Sequence, residues 1–196
     1  MKIDVRSLTG AKVTVRHATR PIGTGLRIVP EFRAMATDQP DVPFDTAIHA
    51  RFDERAGRYV IAEATYTARE GAEINAVTLR KARTADVLKA AAPECITLNL
   101  MDGGKWIKAS ELTTSRERVL PWFIVDMVRQ RKNTERRMEA VEIVYGVAAL
   151  SNQPPTQAVQ REFGIPHRTA ADWISKAREA GHLEGMSYIA GRRVDG

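Results

Sequence analysis

The sequence predicts an α+β fold, with a β-rich N-terminal domain over 1–110 and a helical region over 111–196. Short segments of alternating apolar and polar residues fill the first region, whereas the stretch 110–150 contains only one glycine and one proline. Near the end of the chain, two helical patterns are joined by a tight "FGIP". We therefore expect a helical connector followed by a three-helix module at about 134–183.

The strand-like segments of the first region show the alternation that is typical of half-buried strands. Alternation begins at Val13 in "AKVTVRHAT" and returns in "GLRIVPEF" after a glycine-rich turn. The strongest signal is "AIHARFDERAGRYVIA", in which Ile48, Ala50 and Phe52 alternate before a loop that ends near Gly57. This segment predicts a β-hairpin.

The chain then indicates further short elements. "EGAEINAVTLRKA" is interpreted as a turn and a strand, and "TADVLKAAA" as a short helix with Thr84 as its N-cap and Pro93 as its stop. "ECITLNL" predicts one more strand, and "MDGGKW" predicts one more turn. Pro121 suits the first turn of a helix, where its missing N–H is harmless.

Helical spacing of apolar residues predicts three helices, at about Thr134–Leu150, Thr156–Phe163 and His167–Ala180. Gly164 lies between the last two, at a corner where a positive φ carries no steric penalty for glycine. The helices are expected to pack through apolar residues that recur at helical spacing or fill the corner: Val144, Val159, Phe163, Ile165, Ala170, Ile174 and Ala177.

The opposite face of the last helix is polar. The side chains of its first turn are short enough to approach the edges of DNA bases. The candidate base-reading residues are His167, Arg168, Thr169, Asp172 and Lys176. Other polar and basic residues are candidates for phosphate contacts, two of them at the start of the preceding helix and four before or within the first helix of the module. They are Thr156, Gln157, Arg131, Lys132, Arg136 and Arg137. A structural interpretation stays open, because Arg168 and Asp172 are spaced to form an ordinary ion pair on a solvated helix face.

"AVQREFGIPHRTAADWISKAREAGHL" resembles the helix-turn-helix of many bacterial and phage DNA-binding proteins. The resemblance covers Thr156–Gly185 and rests on the apolar pair, the corner glycine, the polar start of the second helix and the internal Trp173. Gln160 departs from the pattern, which usually has alanine there. The whole chain is also similar to uncharacterised actinobacterial and actinophage proteins that join a strand-rich region to such a module. The resemblance implies double-stranded DNA as the partner.

The net charge of +6 and the pI near 9.7 favour an acidic partner such as nucleic acid. Residues 1–30 contain six basic residues and one acid, and residues 128–137 contain five and one. Residues 151–196 contain six basic and five acidic residues. The predicted reading module is thus nearly neutral, and the basic excess lies outside it.

Composition argues against several other classes. No apolar run reaches the roughly eighteen residues of a membrane span, and the N-terminus has no signal-peptide pattern, so we expect a cytoplasmic protein. Cys95 is the only cysteine, which excludes a disulfide within the chain and a cysteine-based zinc site. The four histidines have no metal-ligand spacing, and the acidic residues Asp38, Asp41 and Asp45 are interpreted as a solvated loop. We expect no catalytic residues, no cofactor and no metal, and hence no enzyme.

Three functional hypotheses remain. The first is a sequence-specific DNA-binding transcriptional regulator whose N-terminal domain senses, dimerises or recruits. The second is a DNA-handling factor of a phage or mobile element, such as a recombination accessory protein or a terminase small subunit. The third is a protein-interaction module that does not bind DNA. We expect the protein to be a homodimer, because one module reads too few base pairs for useful discrimination.

Overall fold

The computed structural model describes residues 1–99, 104–112, 118–130 and 134–188. Within these ranges the fold is mixed α+β, which confirms the predicted class. The strands are β1 Lys2–Arg6, β2 Arg20–Ile22, β3 Leu26–Ile28, β4 Glu31–Thr37, β5 Phe44–Asp53, β6 Arg58–Ala68, β7 Ile96–Leu98 and β8 Ile107–Lys108. The helices are α1 Ala76–Leu79, α2 Thr84–Cys95, α3 Ala109–Leu112, α4 Trp122–Arg129, α5 Thr134–Leu150, α6 Pro155–Phe163 and α7 His167–Glu179.

The strands form two antiparallel sheets, one in the order β1-β4-β5-β6 and one in the order β2-β3-β7-β8. The hairpin predicted from the alternating segment is confirmed as β5–β6, with Phe52 opposite Tyr59 and Gly57 at a φ of 61° in the turn. The pairing shifts where His49 and Ala50 face Glu63 and Ile61, so β6 carries one extra residue. The strand predicted in "ECITLNL" is confirmed as β7.

Helix α2 covers the inner face of the first sheet and contacts all four of its strands. Phe32 and Tyr59 are fully buried there, and their rings meet edge to face with centroids 5.0 Å apart. The Tyr59 hydroxyl donates to the carbonyl of Val29 at 2.7 Å, and burial raises its pKa well above the ordinary value. Cys95 is also fully buried, as expected of a structural thiol.

Two local predictions are wrong because side chains cap short helices. The segment after Val13 forms a 3-10 helix at Val15–His17, where the His17 ring accepts from the Thr14 N–H at 3.0 Å. The strand predicted after Gly71 is helix α1. Its N-cap Asn75 accepts from the N–H of Val77 and Thr78 at 3.1 and 3.0 Å. Both caps are local alternatives to a sheet ladder that binary patterning does not register.

The boundaries of α2 also differ from the prediction. Its N-cap is Arg83, and Thr84 is the first helical residue. Pro93 lies inside the helix, which continues to Cys95 before β7 begins. Strand β1 was not predicted, and the turn predicted in "MDGGKW" falls largely outside the described residues.

The C-terminal helices lie close to their predicted bounds. α5 begins and ends where predicted, α6 begins one residue earlier, at Pro155, and α7 ends one residue earlier, at Glu179. Pro121 is the N-cap of α4. Six of the seven residues predicted to pack between these helices are buried, and Ile165 is half-buried.

Most of the buried apolar side chains of both regions form one contiguous cluster. α5 lies at its centre, where a Cβ on Gly146 would overlap the Leu26 side chain of β3. Gly57, in the β5–β6 turn, is packed just as closely against Ser187, which follows α7. The division into two domains near residue 110 therefore stays a prediction. No helix in the described ranges is long and apolar enough to cross a membrane.

Candidate nucleic-acid interface

The turn between α6 and α7 depends on a glycine. Gly164 has φ 59° and ψ 39°, a left-handed conformation that costs other residues free energy. Its N–H and that of Ile165 both donate to the carbonyl of Gln160, the second at 3.2 Å, which ends α6. Pro166 then precedes the first residue of α7 in an extended conformation. The corner that the sequence predicted at "FGIP" is thus formed by these residues.

The inner face of α7 holds the helix against α5 and α6. Ala170, Trp173, Ile174 and Ala177 are its buried residues. The ring of Trp173 meets that of Phe163 from α6 with centroids 5.6 Å apart. This apolar stripe fixes which face of α7 is turned outward.

The outward face of α7 brings together the predicted base-reading residues. His167, Arg168, Asp172 and Lys176 are exposed, and Thr169 is half-buried. Asp172 pairs with Lys176 rather than with Arg168, at 2.9 Å between carboxylate and ammonium. Both partners of that ion pair are more than half exposed, so the pair is weak and either side chain can exchange it for another partner at little cost.

The predicted phosphate contacts are less uniform. Thr156 is half-buried and Gln157 is exposed, both in the first turn of α6, while Arg136 is exposed near the start of α5. The Arg137 guanidinium lies over the Trp173 ring, 4.9 Å from its centroid, and its buried Nε has no hydrogen-bond partner in the structure. Arg137 therefore packs between helices. Arg131 and Lys132 lie outside the described residues.

Arg129 is an additional basic residue at this surface, beyond those predicted from the sequence. It is exposed at the end of α4, and its Nη2 lies 3.5 Å from where a Cβ on Gly164 would be. Its guanidinium thus lies beside the α6–α7 turn. Arg129 belongs to the same basic run as Arg136, but nothing in the sequence indicated that the end of α4 meets this turn.

A buried carboxylate joins the helices to the strand region. Glu142 of α5 is fully buried and accepts from the N–H groups of Thr24 and Gly25 at 2.6 and 2.7 Å, and from the Thr24 hydroxyl. His182, after α7, places Nδ1 2.9 Å from the same carboxylate. The turn Gly23–Gly25, interpreted from sequence as a simple turn, therefore binds a protein carboxylate, and α5 is anchored to the second sheet.

A second buried carboxylate joins α6 to the segment before α4. Glu162 accepts from the N–H groups of Val119 and Leu120 at 3.1 and 2.8 Å. Burial raises the pKa of this carboxyl, and the two backbone donors oppose that effect. Glu162 is buried on the inner side of α6 and is not part of the exposed polar surface.

The acidic residues near the β4–β5 connection are spread among different partners. Asp38 pairs with Lys2 at 2.8 Å and Asp45 with Arg69 at 2.9 Å. Within the described ranges, no group of three or more His, Cys, Asp or Glu side chains is arranged to hold a metal ion. No protein-family model, curated protein or solved structure matches the chain.

Proposed function

We propose that the protein binds double-stranded DNA sequence-specifically and regulates transcription in the cytoplasm. In this proposal the first turn of α7 enters the major groove. The observation that carries it is the exposed polar face of α7, presented by a glycine turn while the opposite face is buried. A helix held in this way can approach base edges without exposing its apolar stripe.

Within this proposal, Arg168 is the principal base-reading residue. Its guanidinium can donate two hydrogen bonds to one guanine, a contact worth about 1–3 kcal/mol of discrimination. Thr156 and Gln157 of α6, with Arg129 and Arg136, contact phosphates. Their exposed or half-exposed positions support this role, whereas the packing of Arg137 on Trp173 favours a structural role for it.

We also propose a homodimer, because two half-sites supply the specificity that one reading helix lacks. Helix α4 supports this with exposed aromatic residues: Trp122 is 76% and Phe123 46% exposed. Exposed aromatic side chains of this size are common at protein interfaces. Light scattering should give the mass of a dimer at micromolar concentration, and Trp122→Ala should shift it toward the monomer. A monomer with and without DNA would contradict this part of the proposal.

Selection of bound sequences from random duplex DNA tests the proposal directly. It should enrich one site, and Arg168→Ala should then lower affinity for that site by about tenfold or more. Its affinity for random duplex should change much less. Arg33→Ala, which removes an exposed arginine from the outer face of the first sheet, is the matched control. Equal loss on both duplexes would show that α7 does not read sequence.

Salt titrations test the phosphate contacts separately. Arg129→Ala and Arg136→Ala should each weaken binding to every duplex alike and reduce the salt slope by about 0.9 for each phosphate that the variant no longer binds. Arg137→Ala should act mainly on stability, because it removes packing against Trp173.

A protein-interaction module that does not bind DNA is the second candidate, favoured by the same exposure of Trp122 and Phe123. The absence of affinity for any duplex at low salt would favour it over the first. A ring-shaped assembly would instead favour a terminase small subunit.

A further inference from the structure

A cavity of about 800 Å³ lies between α2 and the helices α5 and α6. Its size is within the range of small-molecule sites, which often form between structural units. One wall belongs to the strand-associated helix α2, and the other to the first two helices of the C-terminal module. Neither the α7 surface nor the proposed DNA contacts use it.

The inner wall of the cavity is apolar. Val144, Val147 and Ala148 of α5 line it side by side with Ala158 of α6, and Pro93 of α2 faces them. A wall of this kind favours a hydrocarbon or aromatic group, because water in contact with it forms few hydrogen bonds.

The rim of the cavity is basic. Lys89 of α2 and Arg118 before α4 line it together with Arg161 of α6, against the carboxylates of Asp86 and Glu162. The Glu162 carboxylate is directed to the N–H groups of Val119 and Leu120. Arg118 also acts electrostatically on this carboxylate. The lining still holds three cations against two carboxylates, and this excess favours an anionic group.

We propose that this cavity binds a small amphipathic organic acid. Its carboxylate lies at Lys89 and Arg118, and its apolar body lies against Val144, Ala148 and Ala158. The site binds such a molecule whether or not the protein binds DNA. Because α6 forms both the cavity wall and the support of α7, an influence of the ligand on DNA affinity is an additional consequence, and that consequence alone rests on the proposed function.

The fluorescent anion 1-anilinonaphthalene-8-sulfonate, added to the full-length protein, is the probe. Decanoate should displace it, whereas decyltrimethylammonium at the same concentration should not. Ala90→Phe places a ring on the cavity lining and should weaken probe binding by about tenfold. Ala85→Phe makes the same change on α2 away from the lining and should leave it within about twofold.

The basic rim is tested by charge removal. Lys89→Ala should weaken decanoate by about tenfold, and Lys81→Ala, an exposed lysine outside the cavity, should not. All four substitutions fall on exposed positions of α2 or beside it. A melting temperature equal to that of the wild type verifies that each variant is folded. Displacement by the cation, or equal probe affinity in Ala90→Phe and Ala85→Phe, would overturn the proposal.

Duplex binding is measured on the same preparations. Probe binding that responds to Ala90→Phe in a protein without DNA affinity would support this site and remove the proposed function. DNA binding together with probe binding that neither Ala90→Phe nor Lys89→Ala changes would support the proposed function and overturn this site.

Discussion

Helices α5 and α7 belong to the same three-helix unit but differ in how much of their surface meets solvent. From Met138 to Leu150, every residue of α5 except Glu139 is buried. In α7 only Ala170, Trp173, Ile174 and Ala177 are buried. The polar Glu142 of α5 is satisfied by the strand region, whereas the polar residues of α7 face outward.

This difference assigns the two helices separate roles. α5 cannot contact a large partner along most of its length, so its residues act on stability and on the connection between regions. α7 can lose or exchange its outer side chains with little effect on the core. Substitutions in α5 and at the turn should therefore change the free energy of unfolding, and substitutions on the face of α7 should change binding.

Removal of the Glu142 carboxylate should have the largest effect. Glu142→Ala removes a fully buried carboxylate and leaves the part-buried N–H groups of Thr24 and Gly25 without their acceptor. We expect a loss of about 3–5 kcal/mol in the free energy of unfolding, measured by urea denaturation. Glu184→Ala, at an exposed position, is the control and should cost little. A loss below about 1 kcal/mol for Glu142→Ala would show that water replaces the carboxylate at little cost.

The turn glycine should come next. Gly164→Ala places a Cβ in ordinary contact with Arg129, so the cost arises from the positive φ and should be about 1–2 kcal/mol. Gly25→Ala is the control, because its Cβ would also meet its neighbours at ordinary distance and its φ is not positive. Thermal denaturation of the two variants compares them, and equal melting temperatures would argue against strain at the turn.

Glu162 should give a pH-dependent effect. Because burial raises its pKa in the folded protein, the folded state holds the proton over a pH range in which the unfolded state releases it. The resulting stabilisation is full below the ordinary pKa of about 4.5 and is lost as pH rises through the raised value. The stability of the wild type relative to Glu162→Gln should thus fall from pH 4.5 to neutral pH. Urea denaturation of both proteins at several pH values measures this. A wild-type stability that rises with pH relative to that of Glu162→Gln would contradict the prediction.

The smallest effect should come from the outer face of α7. Lys176→Ala breaks the ion pair with Asp172, and both of these side chains are more than half exposed. The free energy of unfolding should change by no more than about 0.5 kcal/mol. Chemical denaturation in low and high salt measures this, with Arg33→Ala as a second exposed change. A loss above about 1 kcal/mol would mean that the face of α7 has a structural role.

The α6–α7 unit could be predicted from sequence because its signals are local. Gly164, the stripe from Ala170 to Ala177 and the polar start of α7 all lie within fifteen residues of each other. The β5–β6 hairpin was predictable for the same reason. Short helices such as α1 were missed because a single cap at Asn75 outweighed the strand-like pattern around it.

The sequence by itself determined the α+β class, the bounds of the last three helices to within one residue, and the side chains on the outer face of α7. These follow from periodicity and from one residue that tolerates a positive φ. Only the tertiary structure decided that Glu142 is held by Thr24 and Gly25, more than a hundred positions earlier in the chain, and that Arg129 lies beside Gly164. It also placed Arg137 on Trp173 and opened the cavity between α2 and α5. These contacts depend on how distant elements pack, and residue spacing along one helix or strand does not determine that packing.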